Sequence, residues 1–301
     1  MTIRLDMRRA VGKASEALGD SADAVRTFFA QHMDDDGGFC GRDGHSDLYY
    51  TVFGLEASMA LKANIPYERV SNYLDGFETG SSLDLVHLAS LARCRANLAD
   101  RRGEPIDPAV REAMTERLLA FRADDGGYNT TCGAERGHVY GSFLALGLGQ
   151  DLQVDCLDAE ALVQSVRSLQ MPDGGFSNES TMNVSATAAS AAAVTIFHYL
   201  KRPIPEPTLQ WLLARAAPCG GFVPIPLDLE LAIPDLLSTA TAIHALCLAK
   251  VPMEALKATH LDYLDALWSV RGGFQGHPGD EVLDCEYTYY GLLSLGDLIE
   301  S

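Results

Sequence analysis

Basic residues are scarce in this chain: 23 Lys and Arg stand against 41 Asp and Glu, a formal net charge of −18. That balance excludes nucleic acid and anionic membrane surfaces as partners, because such binding needs cations facing phosphates. It leaves room for a small cationic pocket. Tryptophan is limited to Trp211 and Trp268. Both lie in segments that read as outward-facing helices, so the aromatic platforms of a carbohydrate groove are missing. The seven cysteines are odd in number and form no Cys-x-x-Cys pair, which points to free thiols in a reducing cytoplasm rather than a disulfide framework. No apolar run reaches the length of about 18 residues that a membrane span needs. MTIRLDMRRAVGKASEAL reads as an amphipathic helix, not a secretory leader, and no segment shows the period-two alternation of a strand.

What the chain has is apolar content and a repeat. At 47% apolar residues over 301 positions it can bury a sizeable core. Gly-Gly-aromatic recurs at residues 37–39, 126–128, 174–176, 220–222 and 272–274, the last four spaced 48, 46 and 52 residues apart. The first gap, 89 residues, holds a degenerate copy, Asp75-Gly76-Phe77. Six units result. In each, a charged helix precedes the glycines, a polar loop follows, and a second helix, apolar or small nearly all round, comes after it. The first type faces water on one side and the second is buried. The glycines stop the first helix, since one of them must take a left-handed backbone. Six such hairpins close into two concentric rings. The expected fold is therefore all-α, an α/α toroid (α6–α6 barrel) of six helical hairpins. It forms one domain over residues 1–301, with residues 1–32 as an N-terminal helical segment closing the ring. In parallel array the buried helices all begin at one mouth, where loops converge and helix N-termini carry partial positive charge.

The segments GGFCGRDGHSDLYYTVFGLEASMAL, DGGYNTTCGAERGHVYGSFLALGLG, DGGFSNESTMNVSATAASAAA and RGGFQGHPGDEVLDCEYTYYGLLSLG resemble the prenyltransferase and squalene-cyclase repeat. Their spacing is most similar to the β subunit of protein farnesyl- and geranylgeranyltransferases, over about residues 20 to 300. The resemblance implies an isoprenoid in the barrel and a prenyl diphosphate as substrate. It also implies an α-type partner subunit, with a homodimer as the other arrangement, and a zinc ion held by Asp-x-Cys and His. Asp235 matches the aspartate. Leu237 stands at the cysteine position and Tyr287 at the histidine position. The loops SNESTMNVSAT and VPIPLDLELAIPD, from which the family draws diphosphate-binding cations, contain no Arg, Lys or His. Against the Asp-x-Asp-Asp acid of the related class II terpene cyclases, this chain keeps only Asp235.

Three groups of residues remain as candidates. Asp34-Asp35-Asp36 could hold Mg²⁺ and a diphosphate, but Asp124-Asp125 and Asp173 precede the glycines in other units, so the acidic close of an outer helix explains them better. Asp235, Asp284 and Cys285 begin neighbouring inner helices and form the expected metal set, for zinc or magnesium, or else cap those helices. Asp235, Asp284, Glu286, Tyr287 and His138 are the expected catalytic residues at the mouth. Tyr50, His87, Arg136, Tyr140, Phe143 and Tyr290 are the expected ligand-binding residues, with Arg42, Arg136 and the histidines as the cations an anionic ligand would meet. The expected function is a divergent prenyltransferase-like protein that binds an isoprenoid or another apolar ligand and transfers or cyclises a prenyl group. The alternative is a non-catalytic toroid that binds a hydrophobic ligand or a partner protein.

Overall fold

The computed structural model describes residues 1–226 and 232–300. Its local unit follows from the Asp-Gly-Gly-aromatic sequence. The aspartate side chain accepts the amide of the second glycine: Asp36 from Gly38 at 2.8 Å, Asp125 from Gly127 at 3.0 Å, Asp173 from Gly175 at 3.1 Å. The buried aromatic residue then donates its amide to a hydroxyl one helix further on. The pairs are Phe39 with Thr51, Tyr128 with Ser142, Phe176 with Ser190, Phe222 with Thr239 and Phe274 with Thr288. One turn is thus bonded to the helix it leads into, five times over.

The helices alternate as the repeat requires. Helix α1 spans Ile3–Leu18. The outer helices are α2 (Ala22–Gln31), α4 (Tyr67–Asp75), α6 (Pro108–Leu119), α8 (Ala159–Arg167), α10 (Glu206–Leu213) and α12 (Glu254–Leu267). The inner helices are α3 (Leu48–Ala60), α5 (Leu85–Arg102), α7 (Val139–Leu152), α9 (Thr187–Tyr199), α11 (Leu236–Leu248) and α13 (Cys285–Glu300). Each inner helix packs on the next, and α13 returns to α3, which closes the ring. The fold is an α/α toroid of six hairpins. A two-residue antiparallel pair, β1 (Phe39–Cys40) with β2 (Ser46–Asp47), sits in the first loop. It is too short to leave a period-two signal in the sequence.

Closure is visible at the glycines. Gly272 has φ 91°, and a Cβ there would overlap the carbonyl of Ala24 on α2, so the last turn abuts the first outer helix. Only glycine permits both the conformation and the approach. Helix α1 lies across the C-terminal ends of the inner helices. Its Arg4 meets Asp151 of α7 at 2.9 Å, and a Cβ at Gly296 of α13 would overlap the carbonyl of Ala10. The barrel is therefore stopped at one end by α1 and opens at the other, where the inner helices begin. No helix among the described residues is long and apolar enough to cross a membrane.

Candidate functional site

The inner ring encloses a cavity of about 410 Å³, within the range of small-molecule sites. Its wall is mainly apolar. Tyr49, Phe53, Tyr140, Phe143 and Tyr290 supply rings, and Ala189 and Ala192 of α9 supply open volume. Phe53 stacks edge-on with Tyr49 and Tyr290, at centroid distances of 5.0 and 5.5 Å. The alanine-rich α9 thus leaves a space on one side that the aromatic helices α3, α7 and α13 face from the other. Ile3 and Met7 of α1 reach the cavity from its closed end.

At the mouth, one carboxyl faces this space. Glu286, in the first turn of α13, lines the cavity and accepts a hydrogen bond from Tyr49 Oη at 2.6 Å. Burial pushes the Glu286 carboxyl above its usual range, and the Tyr49 hydrogen bond and Arg42 only partly oppose this. Burial also holds the Tyr49 hydroxyl firmly protonated. Of the residues expected in the site, Glu286, Tyr140, Phe143 and Tyr290 share the cavity wall.

The other expected residues do local structural work. Asp235 is the N-cap of α11 and accepts from the Ser238 amide at 2.7 Å and the Ser238 hydroxyl at 2.9 Å. Burial raises its pKa against those bonds. Asp284 accepts from the Tyr287 amide at 2.8 Å and from Arg42 Nε at 2.6 Å. Arg42 also reaches Asp280 at 2.8 Å and lies 5.2 Å from the centre of the Tyr287 ring. Arg42 is thus engaged on both sides and does not stand free for an anionic ligand. His138 caps α7: Nδ1 accepts the Gly141 amide at 2.7 Å, and Nε2 faces Thr130, whose amide lies 3.2 Å and whose Oγ1 lies 3.3 Å away. Burial lowers its pKa and favours the neutral ring. His87 pairs with Asp84 at 2.8 Å on the rim, Arg136 is exposed, and the Tyr50 ring packs over Gly41. Asp36, the last of the three consecutive aspartates, binds the Gly38 amide and the Ser46 hydroxyl, the latter at 2.6 Å. It is a turn residue.

The expected metal set does not assemble. Among the described residues no three His, Cys, Asp or Glu side chains are grouped so as to hold a metal ion. Asp235 and Asp284 are spent on helix caps, and Cys285 is fully buried with its thiol pKa pushed well up by burial. A zinc site closes with three or four N, S or O ligands. Leu237, at the family's cysteine position, offers none and lines the cavity instead. Residues 227–231, within the loop VPIPLDLELAIPD read above for cations, lie outside the described residues.

The sequence reading missed a polar cluster at the closed end. Arg93 of α5 lines the cavity, and its Nε lies 3.2 Å from Asp151 Oδ2 and 4.0 Å from Glu56 Oε1. Glu56 accepts from Tyr289 Oη at 2.9 Å and from Asn97 Nδ2 at 3.2 Å. Arg4 spans Asp151 and Asn97, both at 2.9 Å. Burial works against the Arg93 charge, but Asp151 and Glu56 outweigh it and hold the guanidinium cationic. On another wall, His244 of α11 lines the cavity with Nδ1 2.8 Å from Asp297 Oδ2. Its Nε2 has no partner among the described residues. The signal was available: Glu56 and Asp151 are the charged residues of the otherwise apolar helices α3 and α7, where a charge stays only if something inside the fold meets it.

Comparison with known proteins identifies the fold. The prenyltransferase alpha-alpha toroid domain matches residues 11–75, 66–223 and 200–298, and the chain belongs to that family. Similar solved structures include Candida albicans protein geranylgeranyltransferase-I complexed with GGPP, at TM-score 0.68 and 15% identity over 91% of this chain and 90% of that one. A variant of type II terpene cyclase MstE from Scytonema, in complex with the substrate geranylgeranyl dihydroxybenzoate, aligns at TM-score 0.62 and 13% identity over 97% of both chains. The GH76A alpha-1,6-mannanase from Salegentibacter sp. aligns at TM-score 0.60 and 12% identity over 94% and 99%. At such identities these likenesses speak for the fold alone. No curated protein sequence is significantly similar to this chain.

Proposed function

We propose that the barrel binds an isoprenoid, and that Glu286 with Tyr49 is the pair that exchanges a proton with it. The observation that carries binding is the cavity: about 410 Å³, closed at one end by α1, with rings on one side and alanines on the other. An apolar chain gains by filling such a space, and aromatic faces suit the alkenes or developing positive charge of an isoprenoid. A terpene cyclase and a geranylgeranyltransferase of this fold are known with geranylgeranyl ligands, which supports the same class here. The mouth favours an uncharged isoprenoid over a prenyl diphosphate. Its carboxylates Asp84, Asp235 and Asp284 cap helix N-termini that would otherwise attract phosphate, and Arg42 is already paired.

Proton exchange rests on Glu286. A carboxyl held above its usual range keeps its proton further up the pH scale, in contact with an apolar space that holds little competing water. It suits a general acid or base in prenyl transfer or cyclisation. The test is displacement of a fluorescent hydrophobe by geranylgeraniol. Wild-type protein binds it, and Ala192→Trp, which fills the cavity, loses at least about tenfold in affinity while its helical circular dichroism stays unchanged. Absence of binding by wild type to geranylgeraniol and to geranylgeranyl diphosphate alike sinks the proposal.

A further inference from the structure

We infer that Arg93 forms a second polar subsite, at the closed end of the cavity, for a neutral acceptor oxygen such as a hydroxyl or carbonyl on the bound isoprenoid. The inference rests on the isoprenoid reading above and adds which end group the ligand carries and where it sits.

The first argument is unmet hydrogen bonding. Arginine carries five N–H donors and no acceptor. The Nε of Arg93 is taken by Asp151. Neither terminal nitrogen makes a hydrogen bond among the described residues, although Arg93 lines the cavity and only 15% of its side chain is exposed. Donors left unmet beside an apolar space cost free energy until an acceptor arrives. The second argument is room. Gly147 of α7 faces this guanidinium, and a Cβ there would stand 3.1 Å from Nη2. The third is charge. Arg4, Arg8 and Arg93 face Glu56, Asp100 and Asp151, three cations against three carboxylates. Directional donors are left over but no net positive charge, which selects an oxygen without charge of its own. His244, with its unpartnered Nε2, adds a second polar group to the same cavity.

The experiment compares three probes of one chain length, farnesene, farnesol and farnesoic acid, by displacement of a fluorescent hydrophobe. Wild type is expected to bind farnesol about tenfold tighter than farnesene, the scale of one hydrogen bond to a charged donor, and tighter than farnesoic acid. Arg93→Lys keeps the charge balance and so the fold, yet removes the forked donors; it should lose most of the farnesol advantage and leave farnesene unchanged. Gly147→Ala, which crowds Nη2, should lose part of it. Equal binding of farnesene and farnesol by wild type overturns the subsite and leaves the isoprenoid reading standing. So does a farnesol advantage that survives Arg93→Lys. Tightest binding of farnesoic acid overturns the choice of a neutral oxygen. Failure of all three probes to bind wild type overturns the isoprenoid reading itself.

Discussion

The two ends of the barrel use polar residues in opposite ways. At the mouth, Asp47, Asp84, Asp235 and Asp284 each accept an amide three residues further on, and His138 does the same with its ring nitrogen. These are helix caps, settled within one turn of sequence. At the closed end the partners are far apart in the chain. Arg4 meets Asp151 across 147 residues, and Tyr289 meets Glu56 across 233. The mouth is polar because helices begin there. The inner cluster draws Glu56 and Asp151 from the apolar helices α3 and α7, and it is held by long-range packing. An acidic mouth is therefore poor evidence of chemistry, and a buried charge inside the ring is better evidence.

Mutations can break or sharpen this contrast. The largest effect should come from Asp151→Ala, which leaves Arg4 and Arg93 buried without their shared carboxylate. A loss of about 3–5 kcal/mol is expected in urea unfolding; a loss under about 1 kcal/mol would mean the inner cluster is no tighter than the caps. Asp235→Ala should cost about 1 kcal/mol as a lost cap, whereas Asp235→Asn, an equally good cap, should cost only a few tenths. If Asn is as harmful as Ala, Asp235 has a role beyond the helix end. Glu286→Gln should act through pH. The folded-state pKa of Glu286 is raised, so its favourable contribution is present below the unfolded value and is lost as pH rises through the folded one. The variant should therefore gain on wild type as pH climbs from 4 to 7. Parallel pH–stability curves for the two proteins would show that Glu286 is not protonated by its surroundings. His87→Ala, on the solvated rim, should change stability by no more than about 0.5 kcal/mol.

The fold was legible because it is written six times. Glycine, aromatic and helix spacing recur, and each recurrence confirms the others. The caps were legible too, since Asp235 and Asp284 act within their own turns. The choice between cap and metal ligand needed the structure, because it depends on whether Asp235, Asp284 and Cys285 converge, and they do not. Glu286, Tyr140, Phe143 and Tyr290 reach the cavity wall because they sit in first and second turns of inner helices, near the mouth. Arg93 and His244 were not legible, because their neighbours come from helices far away in sequence. The warning sign for the inner cluster was Glu56 and Asp151, charges in the apolar helices α3 and α7 with no opposite charge at i±3 or i±4.

The placement of α1 bears on how the chain is made. Helix α1 packs against α13, and the turn at Gly272 docks on α2. Neither contact can form before the sixth hairpin has been synthesised. Until then the ring is an open arc with the apolar faces of α1 and α3 uncovered, the kind of intermediate that exposes sticky surface. A circular permutant that joins residue 300 to residue 1 and opens in an outer loop would change which hairpin waits longest, and would show whether yield is limited by closing the ring or by forming its parts.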